Sequence, residues 1–221
     1  MKEYPVRYSG CTFPGRMTVV LLSDGRILIH SPCSIDPETK AGIENLGPVA
    51  FIVAPGNYHH LHVPSCQAAF PAAKTFICPG IETKRPDLVF DGVLQDTPEE
   101  GWATDFEQTV MRGCRFMWEV AFFHRPSRTL ILVDLIENIG DSTPDTNRLL
   151  RFFWKYVFRM WNVPKPAPEY QMGWKDKRAA RRSLHRILGW QFDKVIIAHG
   201  EPLVELARDA VEGAWRSVLR G

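Results

Sequence analysis

The chain has 221 residues, 45% of them hydrophobic and 24% charged, an ordinary globular composition that allows one sizeable core and a single domain over residues 1–221. A net charge of +2, no apolar run near the roughly 20 residues needed to cross a bilayer and no recognisable nucleic-acid-binding module argue against a membrane-spanning or nucleic-acid-binding protein. Five scattered cysteines with no Cys-x-x-Cys pair argue against a disulfide scaffold and a thiolate zinc knot, and a start without a secretory apolar stretch predicts a cytoplasmic protein.

Taken in chain order, Met17 to Leu22 and Arg26 to His30 flank Ser23-Asp24-Gly25, and Asp-Gly between two apolar runs predicts a hairpin. Ser31-Pro32 ends the second strand. Ile35 to Leu46 reads as a short helix with Pro37 in its first turn and Gly47-Pro48 as its stop. Val49 to Ala54 is an unbroken apolar run, the mark of a buried strand. A helix is expected over Val63 to Phe70 and a strand over Lys74 to Cys78. Residues 81–105 are acidic and turn-rich, with a short strand near Val89.

Strands are predicted at Phe106 to Val110, Phe116 to Phe123 and Thr129 to Val133, with a hairpin turn at His124 to Arg128. A polar loop follows from Glu137 to Asn147. Arg148 to Trp161 predicts an aromatic helix whose Arg148, Arg151, Lys155 and Arg159 share one face. Pro164, Pro166 and Pro168 make a stiff connection, Lys175 to Leu188 a basic helix, Lys194 to Ala198 the last strand and Pro202 to Leu219 the terminal helix. Two β-rich halves flanked by helices predict an α/β fold of the four-layer αββα sandwich type.

Three strand ends carry the chemistry. His59-His60-Leu61-His62 follows the Val49–Ala54 run, Asp134 ends one later strand and His199 ends another. Ligands gathered at strand ends are how α/β folds build sites. Two imidazoles and a carboxylate satisfy a catalytic zinc, which takes about three protein ligands and keeps one position open. Such an ion would bring the pKa of water to roughly 7 and polarise a carbonyl or phosphoryl oxygen. Each ligand imidazole needs an acceptor for its second nitrogen, for which Glu201 and Asp36 are candidates. His60 alternates away from its neighbours and is expected to support the site from behind or to face solvent. His30 is expected to be a structural histidine. No nucleotide-binding loop and no serine-hydrolase elbow occurs in the sequence, and Cys66 is a remote candidate nucleophile.

These motifs, in this order, resemble the metallo-β-lactamase superfamily, and within it the DUF4336 group. Ser31-Pro32, Ala54-Pro55 to His62, Phe70-Pro71-Ala72-Ala73, Pro79-Gly80, Asp134-Leu135 and Ala198-His199-Gly200 carry the resemblance. The superfamily's His-x-His-x-Asp-His signature falls here on Asn57-Tyr58-His59-His60-Leu61-His62, so its first histidine is Asn57 and its aspartate is Leu61. The resemblance implies Asp134 as the family's bridging aspartate and His199 as its final histidine. The family's remaining histidine falls near Gly113 to Glu119, where none occurs; Glu119 or Cys114 are substitutes.

The resemblance therefore implies a reduced site. One divalent metal ion, or none, is held by His59, His62, Asp134 and His199; zinc is the first choice and iron or manganese the others. Asp134 and His199 are the candidate catalytic residues, and Asn57, His60, Glu119 and Glu201 the candidates for support behind them. The implied function is a metal-dependent hydrolase of a small ester, thioester or phosphoester. The alternative is a non-catalytic protein of the same fold that binds an anionic ligand or a protein partner. From Asp145 to Trp190 eleven Lys and Arg stand against three Asp and Glu, which favours an anionic small molecule. The aromatic helix, with its basic stripe, offers weak association with a membrane surface.

Overall fold

The structure, a computed structural model, describes residues 1–220. The first sheet has six strands in sequence order: β1 (Lys2–Tyr8), β2 (Cys11–Leu21), β3 (Ile27–His30), β4 (Val49–Ala54), β5 (Lys74–Ile77) and β6 (Gly92–Val93). β1, β2 and β3 pair antiparallel, whereas β3 to β6 run parallel. The second sheet has four strands, β7 (Phe106–Val110), β8 (Val120–His124), β9 (Thr129–Ile131) and β10 (Lys194–Ile196), ordered β10-β9-β8-β7. Only the β10–β9 pair in it is parallel.

Side chains alternate across a strand, and that alternation builds the layers. Leu28, Phe51 and Val53 point inward to meet Phe106, Phe122 and Ile131 of the other sheet, forming the central core. Their neighbours Ile27, Ile29 and Ile52 point outward, against Ile43 of α1 (Pro37–Glu44) and Cys66 of α2 (Val63–Ala69). A short α3 (Ile81–Lys84) follows β5. On the far side Ala121, Phe123, Leu130 and Val195 pack with residues of α6 (Lys177–Gly189) and α7 (Ala207–Ala214). The result is the expected αββα sandwich, and the parallel strands of both sheets end at one edge.

Several expected elements differ. The N-terminal β1 is unanticipated, although Lys2, Tyr4 and Val6 are half-buried at every second position while Glu3, Pro5 and Arg7 are exposed; the edge position tolerates Pro5. No strand forms at Val89, which is 77% exposed; pairing waits until Gly92. Residues 116–119 are not in a strand: Trp118 O accepts from Asn57 N of the loop after β4 at 3.0 Å, and Glu119 forms only an isolated bridge, to Gly56. The Arg148–Trp161 helix is α-helical only over α4 (Arg148–Phe152) and widens into a π-helical turn at Phe153–Val157. Phe158 N donates to the Phe153 carbonyl five residues back at 2.9 Å, and within this turn the Trp154 indole is anchored on Glu137. Arg159 then adopts φ 51° and leaves the helical stripe. α5 (Pro168–Gly173) starts where an extended connection was expected, with Pro168 in its first turn. The terminal helix begins at Ala207, because Leu203 is held in backbone pairing with Val195. It breaks at Trp215, whose indole donates to the Leu135 carbonyl at 3.0 Å, before α8 (Arg216–Leu219). No helix among the described residues is long and apolar enough to cross a membrane.

Candidate metal centre

His59, Asp134 and His199 come from three separate chain reversals at one edge of the sandwich. His59 lies in the loop after β4, where Asn57 ties the loop down: its Oδ1 accepts from Trp118 N at 3.1 Å and its Nδ2 donates to Phe116 O at 3.1 Å. Asp134 lies three residues past β9 and His199 three past β10. All three are buried, and one ligand atom from each lies within 4.8 Å of the others.

His59 Nε2 stands 3.3 Å from Asp134 Oδ2, and His199 Nε2 stands 3.4 Å from Asp134 Oδ1. The opposite ring nitrogens are both occupied. His59 Nδ1 is 2.7 Å from the Ser31 hydroxyl, and His199 Nδ1 donates to the Pro14 carbonyl at 2.9 Å. A carbonyl only accepts, so the proton of a neutral His199 sits on Nδ1 and its lone pair on Nε2 faces the carboxylate. Two acceptors this close require a cation or a proton between them. Ligands at about 2.0–2.1 Å around a tetrahedral zinc stand roughly 3.3 Å apart, which is the spacing seen. The residues therefore fit a metal ion, with Ser31 and the Pro14 carbonyl as the outer partners that fix each ring.

The protonation equilibria follow the same arrangement. Burial alone would raise the Asp134 pKa, but the two facing imidazoles outweigh it and hold the carboxyl below the usual range. Burial alone would lower His199; the bond to Asp134, the charges of Asp134 and Glu137 and the Pro14 carbonyl outweigh it, and the net shift is upward.

The loop carrying Asp134 is shaped by Glu119. Its buried carboxylate accepts from the backbone N–H of Val133 at 2.7 Å, Asp134 at 2.9 Å and Leu135 at 2.8 Å. Burial and the nearby Asp134 charge push its pKa up against those three bonds. On the other flank Arg16 of β2, itself buried, donates to the carbonyls of Ile197 at 2.5 Å and Gly200 at 2.8 Å and so fixes the turn at His199.

The remaining predicted residues fall elsewhere. His62 lines the same cavity but stands outside the three-residue group, edge-on to Tyr4 with ring centroids 5.4 Å apart. It is the residue that opens α2, and that change of direction turns it from His59. His60 is buried, not exposed, with its Nδ1 unpartnered; burial and then Lys84 and Arg85 lower its pKa to about 4. The Glu201 backbone pairs with Asn138, and its side chain is absent from the cavity wall. Asp36 caps α1 through Thr39 N at 2.7 Å and pairs with Lys2, so it supports no imidazole. Cys114 packs against Gly173 and Glu169 outside the cavity lining. Cys66 is fully buried, and burial pushes its pKa to about 12, which leaves an inert thiol. His30 is a core residue, edge-on to Phe122.

Sequence reasoning missed Glu137. It is buried, receives Trp154 Nε1 at 3.1 Å and lines the cavity beside Asp134 and His199. Burial first, with the Asp134 and Glu169 charges, raises its pKa to about 8 against the pull of His199. Its place depends on backbone pairing with Lys165, N to O at 2.8 and 3.0 Å in the two directions; nothing local announces that contact.

A family model described as "Domain of unknown function (DUF4336)" matches residues 9–174. No curated protein matches the chain. Among solved structures, the DIM-1 metallo-beta-lactamase exposed to ceftazidime is 12% identical, with TM-score 0.66 over 97% of this chain and 91% of that one. A metallo-beta-lactamase from Pontibacter korlensis is 12% identical, with TM-score 0.60 over 99% of this chain and 93% of that one. FIM-1 from Pseudomonas aeruginosa, in a mono-zinc form, is 11% identical, with TM-score 0.60 over 95% of this chain and 85% of that one. At such identities the likeness is one of fold, and the sandwich described above is metallo-β-lactamase-like. With most of its length inside the matched region, the chain belongs to the DUF4336 family.

Proposed function

We propose that this protein is a metal-dependent hydrolase with a single divalent ion, zinc by preference, held by His59, Asp134 and His199 and acting on a small ester, thioester or phosphoester. The observation that carries this reading is the convergence of the His59 and His199 Nε2 atoms on the Asp134 carboxylate at 3.3 and 3.4 Å. The FIM-1 relative of this fold is described as mono-zinc, which agrees with a one-ion site. Five free, buried thiols agree with a cytoplasmic location.

When bound, the ion would polarise the substrate's carbonyl or phosphoryl oxygen and activate a water. The chain supplies the rest. Ser31 and the Pro14 carbonyl hold both rings with Nε2 toward the ligand point. Asp134 keeps its negative charge through the imidazoles, and Glu119 holds the Asp134 turn. Among the described residues, three offer ligand atoms to the group, so an ion held by them would keep a position open for the reacting group. Tyr4, Phe13 and Trp154 wall the cavity and limit water around it.

A panel of chromogenic carboxylic, thiol and phosphate esters, assayed with zinc, manganese or iron added, tests the proposal. Metal-dependent turnover of at least one class, lost in Asp134→Asn, is expected. Metal binding without turnover of any class would favour the non-catalytic reading, which Leu61 supports: it stands where the superfamily signature has aspartate and is 66% exposed at the cavity.

A further inference from the structure

The cavity has a volume of about 200 Å³. A dry cavity of about 150 Å³ accommodates benzene, so this one takes a ring and a few more atoms. Its largely apolar walls include five aromatic rings, those of Tyr4, Tyr8, Phe13, Tyr58 and Trp154. Three rings meet neighbours edge-on, Tyr4 with His62, Tyr8 with Tyr58 and Phe13 with His199, and aromatic pairs of this kind form stiff walls.

Its interior offers an anion no Lys or Arg to pair with. Three carboxyl groups, Asp134, Glu137 and Glu169, line it, and Arg7 is its single Lys or Arg. Arg7 is exposed on β1, so it stands at the mouth and not in the interior. None of the eleven Lys and Arg residues between Asp145 and Trp190 reaches the lining. They serve elsewhere: Arg151 and Lys155 lie over the Trp161 ring, and Arg186 pairs with Asp96. The basic segment is therefore an outer surface, and the anionic substrate it suggested loses its support.

Glu137 adds a polar contact. Among the described residues its side chain receives a single hydrogen bond, from Trp154 to Oε2. A carboxyl group has further acceptor positions, and Glu137 is one of the residues lining the cavity. A buried acceptor without a donor costs free energy, so a ligand that brings one is favoured.

We propose that the cavity selects an uncharged carboxylic ester whose ring-sized apolar end carries an N–H or O–H donor for Glu137, and that it discriminates against carboxylates and phosphates. This rests on the hydrolase reading for the reacting group, but the selection itself comes from the walls and from Glu137.

The test compares three probes of one ring size, benzamide, benzoate and phenyl phosphate, on the full chain, both metal-stripped and zinc-loaded, by ligand-observed NMR. On the metal-stripped chain benzamide should bind at least about tenfold more tightly than either anion. Glu137→Gln, which keeps the shape but replaces one acceptor oxygen with an N–H donor, should shrink that ratio severalfold, and Lys175→Gln on the outer surface should leave it unchanged. Equal or tighter binding of an anion to the metal-stripped chain would overturn the inference, as would benzamide binding weaker than about 10 mM. Failure to load zinc would instead sink the hydrolase reading and leave the benzamide preference standing, so the two failures are separable.

Discussion

The carbonyl of Pro14 takes the Nδ1 proton of His199 at 2.9 Å. The contact joins β2 to the loop after β10 across most of the chain, and it decides which nitrogen of His199 faces Asp134. The site is thus oriented by backbone, which no side-chain substitution at residue 14 removes directly.

Glu119→Leu is expected to be among the most damaging single changes. It leaves three buried N–H groups, those of Val133, Asp134 and Leu135, without an acceptor. Each unpaired group costs about 1–3 kcal/mol, so a loss of at least about 3 kcal/mol is expected in urea titration. Metal affinity should fall about 10–100-fold, as it does when an outer partner of a ligand is lost. Glu119→Gln should recover only part of the stability, because both carboxyl oxygens accept here and an amide NH2 cannot.

Gly200→Ala should displace His199. Gly200 has φ +90°, and an added Cβ would stand 2.0 Å from the Asn138 carbonyl oxygen. The left-handed backbone alone costs a non-glycine residue about 1–2 kcal/mol, and the overlap forces a shift in addition. Gly189→Ala is the control: its Cβ meets nothing within 4 Å, and a change within about 0.5 kcal/mol is expected. Thermal melts of the two variants make the comparison.

Arg16→Leu removes two bonds to the carbonyls of Ile197 and Gly200. Hydrogen bonds to charged groups contribute about 1.5–3 kcal/mol each, so destabilisation of about 3 kcal/mol is expected. Hydrogen exchange should accelerate first around residues 197–201, where the turn loses its tie, before the rest of the sheet.

The cysteines should be silent in the native state. All five are free and buried, and burial raises the Cys66 pKa to about 12 and pushes the Cys78 thiol well above its ordinary value too. A thiol reagent at neutral pH should label them only as fast as the protein unfolds, because the thiolate is the reactive form. Rapid labelling of any one in folded protein would contradict the burial described.

How much of this was legible in the sequence depends on range. The Val49–Ala54 strand was readable to the residue, because a continuous apolar run in a parallel sheet has both faces covered. The Asp24-Gly25 hairpin was readable from local turn chemistry. The positions of His59, Asp134 and His199 just beyond three apolar runs were also visible. Their separations, and the turning of His62 toward Tyr4, were not, since these depend on how α2 starts. Glu137 and Arg16 were invisible because their partners lie far along the chain: Arg16 reaches 181 and 184 residues away. The Lys and Arg of the basic segment lie outside the cavity lining, which the sequence did not reveal because spacing gives a helix face but not what that face looks upon.

The most direct test of the metal centre is anomalous diffraction at the zinc edge from crystals of the full chain grown with stoichiometric zinc. One peak is expected, with His59 Nε2, His199 Nε2 and an Asp134 oxygen as its protein ligands at about 2.0–2.2 Å, and none in His199→Ala. A zinc-saturated crystal with no peak between those three side chains, or with His59 and His199 turned away from Asp134, would contradict the account.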